Sequence, residues 1–221
     1  MKPLSALLAF LFVCIAINAQ TVSTFVGSRI DKNARYLFYL HGGVVTVLGD
    51  NAVNQSVPEW GPYEYSNICD TLRRRGFNVI SEIRQEGIEG KVYTNKIVQQ
   101  VDSLLKGGVS VSNIVLVGAS SGWDIVLHVA SVLKHPHLQY VIMGGCWPGT
   151  YKDYTGIELY GHFLSIIETT DPHGTCIKVF EGRKHLTSYK EVTLNTGLSH
   201  GFFYKGRKEW IDPIMQWLQQ K

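Results

Sequence analysis

The chain has 221 residues, of which 45% are hydrophobic and 18% are charged, and its formal net charge at neutral pH is +3. This composition excludes a disordered chain and suits a single folded domain with one well-buried core. The tight basic cluster at residues 73–75 stands before Gly76 at a predicted helix end, where cations suit the helix dipole. No stripe of basic and aromatic residues accompanies it, so we expect no nucleic-acid partner.

Residues 1–19 have the pattern of a signal peptide. Lys2 precedes an apolar run over residues 4–17, and the segment ends at Ala19, a small residue that suits cleavage. The run is short for a membrane span, and no later stretch is long and apolar enough to be one. We therefore expect a mature domain over residues 20–221 with no integral membrane span, exported to the periplasm or secreted. An uncleaved N-terminal anchor is the alternative.

Short apolar runs then alternate with stretches of helical period, which predicts a single-domain α/β fold with a mostly parallel central sheet and helices on both faces. The predicted strands cover residues 36–40, 77–83, 113–117, 138–143, 163–167 and 191–194. The predicted helices cover residues 62–75, 92–106, 121–134, 176–180 and 209–220, with Pro213 in the first turn of the last. Strand 113–117 is strongly apolar and should lie at the centre of the sheet. Residues 147–162 should form a long loop.

Three of the four cysteines, Cys69, Cys146 and Cys176, lie beyond residue 19. In an oxidising compartment they allow at most one internal disulfide. Cys69 falls on a predicted amphipathic helix, where a buried free thiol is expected. Cys146 and Cys176 follow successive strands, and the residues leave open whether they pair. No Cys-x-x-Cys or His-x-x-x-His spacing indicates a metal site, so we expect no metal and no cofactor.

A nucleophile motif stands between the central strand and the next helix, where residues 118–122 read GASSG and match G-x-S-x-G. A turn at this place is so sharp that only small neighbours fit beside the serine, which leaves the Ser120 hydroxyl exposed. The N–H of Ser121 at the helix N-terminus can stabilise a negative oxygen. We therefore predict that Ser120 is a nucleophile and that Ser121 is an oxyanion donor.

A second match, GLSHG at residues 197–201, competes with the first. It also follows a predicted strand, but the residues after it do not predict a helix. No histidine lies further along the chain to serve Ser199. Context therefore favours Ser120, and the alternative for Ser120 is a small-residue turn without chemistry.

A base and an acid follow in the order that such a serine requires. His200 lies between the last strand and the last helix, from which an imidazole can reach back to Ser120. Asp171 follows strand 163–167 in a turn that Pro172 helps to fix, and it would hold the histidine's tautomer. Glu168, nearer the strand end, remains the alternative acid. The other loop and helix histidines that we considered are expected at the surface: His162, His173 and His185.

The second oxyanion donor is expected after the first strand, in His-Gly-Gly at residues 41–43. Glycine lets the backbone approach a substrate closely. We predict the N–H of Gly43 as the donor, with Val44 as the alternative, and a structural hydrogen-bonding role for His41.

An aromatic loop follows strand 138–143 at the same edge of the sheet as Ser120. Its residues Trp147 and Tyr151 are the predicted substrate-binding wall, and ordinary packing is an equally good explanation of them. Trp60 and Tyr63 form a second, weaker candidate wall.

These four motifs, HGG at 41–43, GASSG at 118–122, TTDP at 169–172 and SHGFF at 199–203, together resemble the α/β-hydrolase superfamily, particularly its small esterase-like members. The resemblance covers nearly all of the mature chain. It implies a sheet of eight strands or slightly fewer, and hydrolysis of a small-molecule acyl ester through an acyl-enzyme. The chain departs from many relatives at Trp123, where they have a small residue.

The substrate and the activity stay open at this point. A peptidase or an acyltransferase can use the same triad, and an inactive binding protein can keep the same scaffold.

Overall fold

The computed structural model describes residues 30–53, 60–88 and 90–220. The expected signal peptide lies outside the described residues, so it stays a prediction. The strands are β1 Arg35–Leu40, β2 Phe77–Ile80, β3 Ile114–Ala119, β4 Gln139–Met143, β5 Gly161–Glu168 and β6 Leu186–Leu194. The helices are α1 Gly43–Leu48, α2 Tyr65–Arg74, α3 Gly90–Lys106, α4 Gly122–Leu133, α5 Ile177–Phe180 and α6 Lys208–Gln219.

All six strands are parallel and form one sheet in the order β2-β1-β3-β4-β5-β6. The strongly apolar β3 is therefore central, as its composition predicted. Successive residues of β1 alternate between two cores: Phe38 faces the core under α3 and α4, and Leu37 faces the core under α2 and α6. A parallel sheet covered on both faces needs such continuous apolar strands. The predicted α/β class and two-sided architecture are confirmed.

The predicted elements differ from the structure at several places, among them β6, α6 and α1. The edge strand β6 begins at Leu186, well before residue 191, because its solvent-facing polar residues hide it from a search for apolar runs. Pro213 lies in the second turn of α6 and not in the first, because the helix begins at Lys208, five residues before it. The short helix α1 was not predicted, because its residues are mostly β-branched and favour strands by propensity.

The fold decides which of the three cysteines beyond residue 19 form a disulfide. Cys146 and Cys176 form a disulfide with their Cα atoms 5.1 Å apart, which ties the loop after β4 to the start of α5. Cys69 is a buried free thiol, as expected, and burial raises its pKa to about 11. In the described part of the chain, none of the helices has the length and apolar character needed to cross a membrane.

Candidate active site

Ser120 stands in a strained turn between β3 and α4. Its φ of 48° lies in the left-handed region, which costs energy for any residue except glycine. The turn brings α4 so close to the sheet that a Cβ on Gly122 would lie 2.0 Å from the Leu40 carbonyl oxygen. A Cβ on Gly118 would lie 2.4 Å from the Gly122 carbonyl oxygen. The two glycines of the motif therefore permit the turn by having no side chains.

One chain of hydrogen bonds joins Ser120, His200 and Asp171. The Ser120 Oγ lies 2.9 Å from Nε2 of His200, and Nδ1 of His200 lies 2.8 Å from Oδ2 of Asp171. The side chains of His200 and Asp171 are each only 2% exposed. Because the carboxylate accepts the Nδ1–H, Nε2 is left free to accept the serine proton. The structure thus brings together the three residues that the motifs predicted, in the order that activates a nucleophile.

Asp171 holds a second histidine that the sequence analysis had placed at the surface. His173 donates from Nδ1 to Oδ1 of Asp171 at 2.5 Å, and its backbone N–H donates to the same oxygen at 3.0 Å. The His173 side chain is 16% exposed, and its ring centre lies 4.3 Å from that of His200. The surface prediction for His173 was wrong because the Asp-Pro-His turn folds this ring back onto its own aspartate.

The two histidines set the ionisation of Asp171. Burial raises the pKa of the carboxyl group, but the hydrogen bonds from His173 and His200 outweigh that effect and hold the pKa well below its usual range. Asp171 is therefore ionised at neutral pH. Asp171, His173 and His200 also place three possible metal-ligand atoms within 4.8 Å of one another. Both carboxylate oxygens already accept imidazole N–H groups, so this cluster is complete as a hydrogen-bond network.

Glu168, the alternative acid, bonds to the backbone instead of to His200. Its Oε1 accepts the N–H groups of Thr196 at 2.8 Å and Gly197 at 3.0 Å, and its Oε2 accepts that of Thr170 at 2.7 Å. Burial raises its pKa, but the hydrogen bonds from the Thr170 hydroxyl and from these backbone N–H groups outweigh that effect and lower the pKa to about 2. Glu168 therefore connects the loop that carries Asp171 to the loop that carries His200.

The candidate oxyanion donors lie at two helix N-termini beside Ser120. Gly43 begins α1 and Ser121 caps α4, and N–H groups at such positions have no intrahelical acceptor. A Cβ on Gly43 would lie 3.6 Å from the Ser121 Oγ, so the two turns adjoin. The N–H of Gly42 is already used, because it donates to the Tyr63 hydroxyl at 3.2 Å.

His41 is buried and holds the Gly42 carbonyl in place. Its Nε2 accepts the backbone N–H of Arg84 at 3.0 Å, so Nδ1 carries the proton and donates to the Gly42 oxygen at 2.8 Å. Burial, and then the positive charge of Arg84, lower the His41 pKa to about 3. The side chain is therefore neutral and structural, in agreement with its expected hydrogen-bonding role. Arg84 itself was missed, since a lone arginine after a strand carries no sequence signal of burial.

Of the predicted aromatic walls, the first lies behind His173 and the second beside His200. A cavity of about 300 Å³ is lined by Trp147, Tyr151 and His173, among others. Trp60, from the candidate wall ranked second, contacts the base more directly, with its ring centre 4.9 Å from that of His200. Tyr63 is almost fully buried, and its hydroxyl lies 2.7 Å from that of Tyr39.

Trp123, the residue at which the chain departs from many relatives, is accommodated without disturbing α4. Its ring is fully buried and lies 5.7 Å from that of Trp147. Gly145 makes room for it, because a Cβ there would lie 2.5 Å from the indole Cγ. Trp123 thus supports the cavity wall from behind.

The overall fold recurs in solved structures. The chain has the α/β-hydrolase fold. A metagenome-derived lipolytic enzyme of the LipS and LipT pair superposes with a TM-score of 0.55 at 11% identity, over 85% of this chain and 95% of that one. The Francisella virulence factor BioJ gives 0.53 at 11% identity, over 88% of this chain and 79% of that one.

A third α/β-hydrolase structure is the 2-hydroxy-6-oxo-6-phenylhexa-2,4-dienoate hydrolase of Rhodococcus sp. strain RHA1. It gives a TM-score of 0.50 at 14% identity, over 87% of this chain and 92% of that one. At these identities the likeness establishes the α/β-hydrolase fold and leaves the chemistry to be argued from the site. The sequence matches no protein-family model and none of the curated proteins.

Proposed function

We propose that the protein is an exported serine hydrolase that cleaves small carboxylic esters through an acyl-enzyme on Ser120. The observation that carries this proposal is the unbroken hydrogen-bond chain from Asp171 through His200 to Ser120, which ends on a serine in a strained turn. Strained backbone at a buried polar network is a feature of active sites. The hydrolytic enzymes among the structural neighbours agree with this assignment.

The reaction follows from the positions of the three side chains. The Ser120 Oγ attacks the ester carbonyl carbon as its proton passes to Nε2 of His200, and the carbonyl electron pair moves to the oxygen. The tetrahedral intermediate collapses, the alcohol leaves with the proton from His200, and an acyl-enzyme remains. Water then attacks the acyl carbon while His200 takes its proton. Collapse returns that proton to Ser120 and releases the carboxylic acid.

The N–H groups of Gly43 and Ser121 stabilise the negative oxygen of both tetrahedral intermediates in this scheme. They stand at the N-termini of two helices, where the backbone dipoles add to the hydrogen bonds. Asp171 stays ionised and stabilises the imidazolium that forms on His200.

The cavity and the disulfide support the rest of the proposal. The cavity of about 300 Å³ lined by Trp147, Tyr151 and His173 adjoins His200 through His173, whose ring centre is 4.3 Å from that of His200, and its volume favours a small acyl or aryl group over a polymer chain. The Cys146–Cys176 disulfide suits an oxidising compartment and so favours export, in agreement with the expected signal peptide.

A fluorophosphonate probe tests this proposal, because it phosphonylates only an activated serine. We expect the wild-type protein to be labelled and mass spectrometry to map the label to Ser120. Ser120→Ala should abolish the labelling, whereas the control Ser199→Ala, which alters the other G-x-S-x-G serine, should keep it. A folded wild-type protein that takes no label would favour an inactive binding protein. Chromogenic esters and peptides, with and without an acceptor alcohol, then separate an esterase from a peptidase or an acyltransferase.

The acid assignment has its own test in Asp171→Asn. The asparagine would present the wrong hydrogen-bond partner to Nδ1 and favour the wrong His200 tautomer, so we expect kcat to fall by about 10⁴-fold. Ester turnover measures the loss, and circular dichroism checks that the variant is folded. A loss of less than about tenfold would contradict the role of Asp171.

A further inference from the structure

Arg84 is a buried cation that spans the two turns of the candidate oxyanion hole. The residue is only 6% exposed. Its Nη2 donates to the His41 carbonyl oxygen at 2.5 Å and to the Ser121 Oγ at 3.2 Å. His41 opens the His-Gly-Gly turn that contains Gly43, and Ser121 belongs to the nucleophile turn. One guanidinium group therefore ties both candidate donor turns together from behind.

The charge of Arg84 has no negative partner among the residues that the structure describes. Its neighbour Glu82 forms an ion pair with the Lys96 Nζ at 2.5 and 2.6 Å, and the guanidinium carbon of Arg84 instead lies 5.7 Å from the ring centre of Tyr93, which carries no negative charge. The Nη1 atom of Arg84 is buried without a hydrogen-bond acceptor. A guanidinium stays protonated even when buried, so the resting protein holds an unmatched positive charge at this place.

An unmatched buried charge costs folding free energy unless a partner arrives. In the proposed acyl-transfer reaction a negative oxygen develops beside the Gly43 and Ser121 N–H groups, which belong to the two turns that the guanidinium contacts. Coulomb attraction across a dry, low-dielectric site is much stronger than in water. Such an oxygen would be a negative partner for the guanidinium.

We propose that Arg84 is a positioning residue of the oxyanion hole, which fixes the Gly43 and Ser121 turns and whose unmatched charge favours the negative oxygen. This inference rests on the proposed serine hydrolase function. It predicts that Arg84 stabilises anionic tetrahedral species and contributes little to the binding of a neutral ester.

The test compares Arg84→Met and Arg84→Lys with wild type, using a chromogenic ester and phenylboronic acid. The boronic acid forms an anionic tetrahedral adduct with an activated serine and so reports on the oxyanion site. For Arg84→Met we expect kcat to fall by about 10²-fold and boronate affinity by at least about tenfold, with KM changed by less than about threefold. Lysine keeps the positive charge but lacks the planar guanidinium that bonds to both turns. We therefore expect the kcat of Arg84→Lys to be at least about tenfold higher than that of Arg84→Met.

Arg183→Met is the matched control. Arg183 also donates to two backbone carbonyls, those of Val179 at 2.7 Å and Ile157 at 2.8 Å, but it makes no contact with the candidate donor turns. We expect its kcat and boronate affinity to stay within about twofold of wild type.

Two results would overturn the inference. The first is a folded Arg84→Met variant whose kcat and boronate affinity match wild type. The second is an equal loss of kcat and boronate affinity in Arg84→Met and Arg84→Lys, which would mean that Arg84 links the two turns without any contribution from its charge. Should Arg84→Met fail to fold, Arg84→Lys decides: it must keep at least about a tenth of the wild-type boronate affinity.

Fluorophosphonate labelling separates this inference from the proposed function. A wild-type protein that takes no label and hydrolyses no ester overturns both. An active, labelled wild type with an unaffected Arg84→Met overturns the inference alone.

Discussion

The two G-x-S-x-G turns of this protein share a pattern and a serine conformation, yet they do different things. Ser120 has a φ of 48° and Ser199 a φ of 51°, both in the left-handed region. The Ser120 hydroxyl meets His200, whereas the Ser199 hydroxyl donates to the Thr170 carbonyl at 3.2 Å. The comparison teaches that neither the pattern nor the backbone angle identifies a nucleophile. The nucleophile is identified by the hydrogen-bond partner of its hydroxyl, which is His200 for Ser120 and a backbone carbonyl for Ser199.

The two turns are also held in place by different forces. The nucleophile turn depends on close backbone packing, because a Cβ on Gly118 or Gly122 would clash with main-chain oxygens. The histidine turn depends on polar bonds: Glu168 accepts the Gly197 N–H, and the Thr170 hydroxyl accepts the Ser199 N–H at 3.0 Å. A Cβ on Gly197 would meet nothing within 4 Å. A Cβ on Gly201, by contrast, would lie 2.8 Å from the Trp60 carbonyl oxygen, so close packing limits the end of the second turn but not its start. We therefore expect the first turn to be sensitive to added volume at both glycines, and the start of the second turn to be more sensitive to loss of charge.

The largest expected effect is that of Gly122→Ala, whose Cβ would lie 2.0 Å from the Leu40 carbonyl oxygen. We expect a loss of at least about 3 kcal/mol in the free energy of unfolding, because backbone atoms on both sides must move. Gly197→Ala has open space but a φ of 70°, so its cost should be about 1 to 2 kcal/mol. Gly156→Ala, which meets neither a clash nor a positive φ, is the control in urea unfolding. Equal losses at residues 122 and 197 would contradict the comparison.

Next in size is Glu168→Gln. The amide has one acceptor oxygen in place of two charged ones, so it leaves at least one partly buried N–H of the two loops without a good partner. We expect a loss of about 3 kcal/mol and a fall in kcat of about tenfold as the His200 turn loosens. Thermal unfolding and ester turnover measure the two effects. The control is Glu158→Gln, at a side chain that is 53% exposed, which should cost less than about 0.5 kcal/mol.

Acid should weaken the histidine turn through the same carboxylate. The pKa of Glu168 is lowered in the folded protein from 4.5 to about 2. Its contribution to stability is therefore fully present above its unfolded pKa and is lost as the pH falls toward about 2. Asp171 acts in the same direction but is retained in Glu168→Gln, so the variant should lose stability less steeply than wild type over this range. Urea unfolding measures the free energy of unfolding of both proteins between neutral and acid pH. If the two free energies fell by the same amount, the role of Glu168 would be contradicted.

The smallest effect should come from Ser199→Ala. It removes one long and partly exposed hydrogen bond to Thr170, so we expect a cost of about 0.5 kcal/mol and a kcat within about twofold of wild type. A large loss of turnover would show that the second turn has chemistry of its own. Steady-state kinetics with the ester used for wild type decides between the two outcomes.

Much of this architecture could be predicted because it depends on local patterns. The apolar runs of β1, β3 and β4 predict a sheet buried on both faces, and the structure confirms this. The edge strand β6 was only half predicted, since an edge strand carries polar residues toward solvent. The helix α1 was missed because its entry from β1 decides its conformation against the propensity of its residues.

By itself, the sequence determined the class of fold, the central strand and the residues at the ends of the strands that carry Ser120, Asp171 and His200. Strand periodicity and glycine spacing are local properties, so one chain is enough to read them. Only the tertiary structure decided that Asp171, and not Glu168, meets His200, and that Cys146 pairs with Cys176. The tertiary structure alone also decided that Arg84 is buried. Such choices depend on which side chain faces which across the sheet edge, and spacing along the chain does not encode that direction.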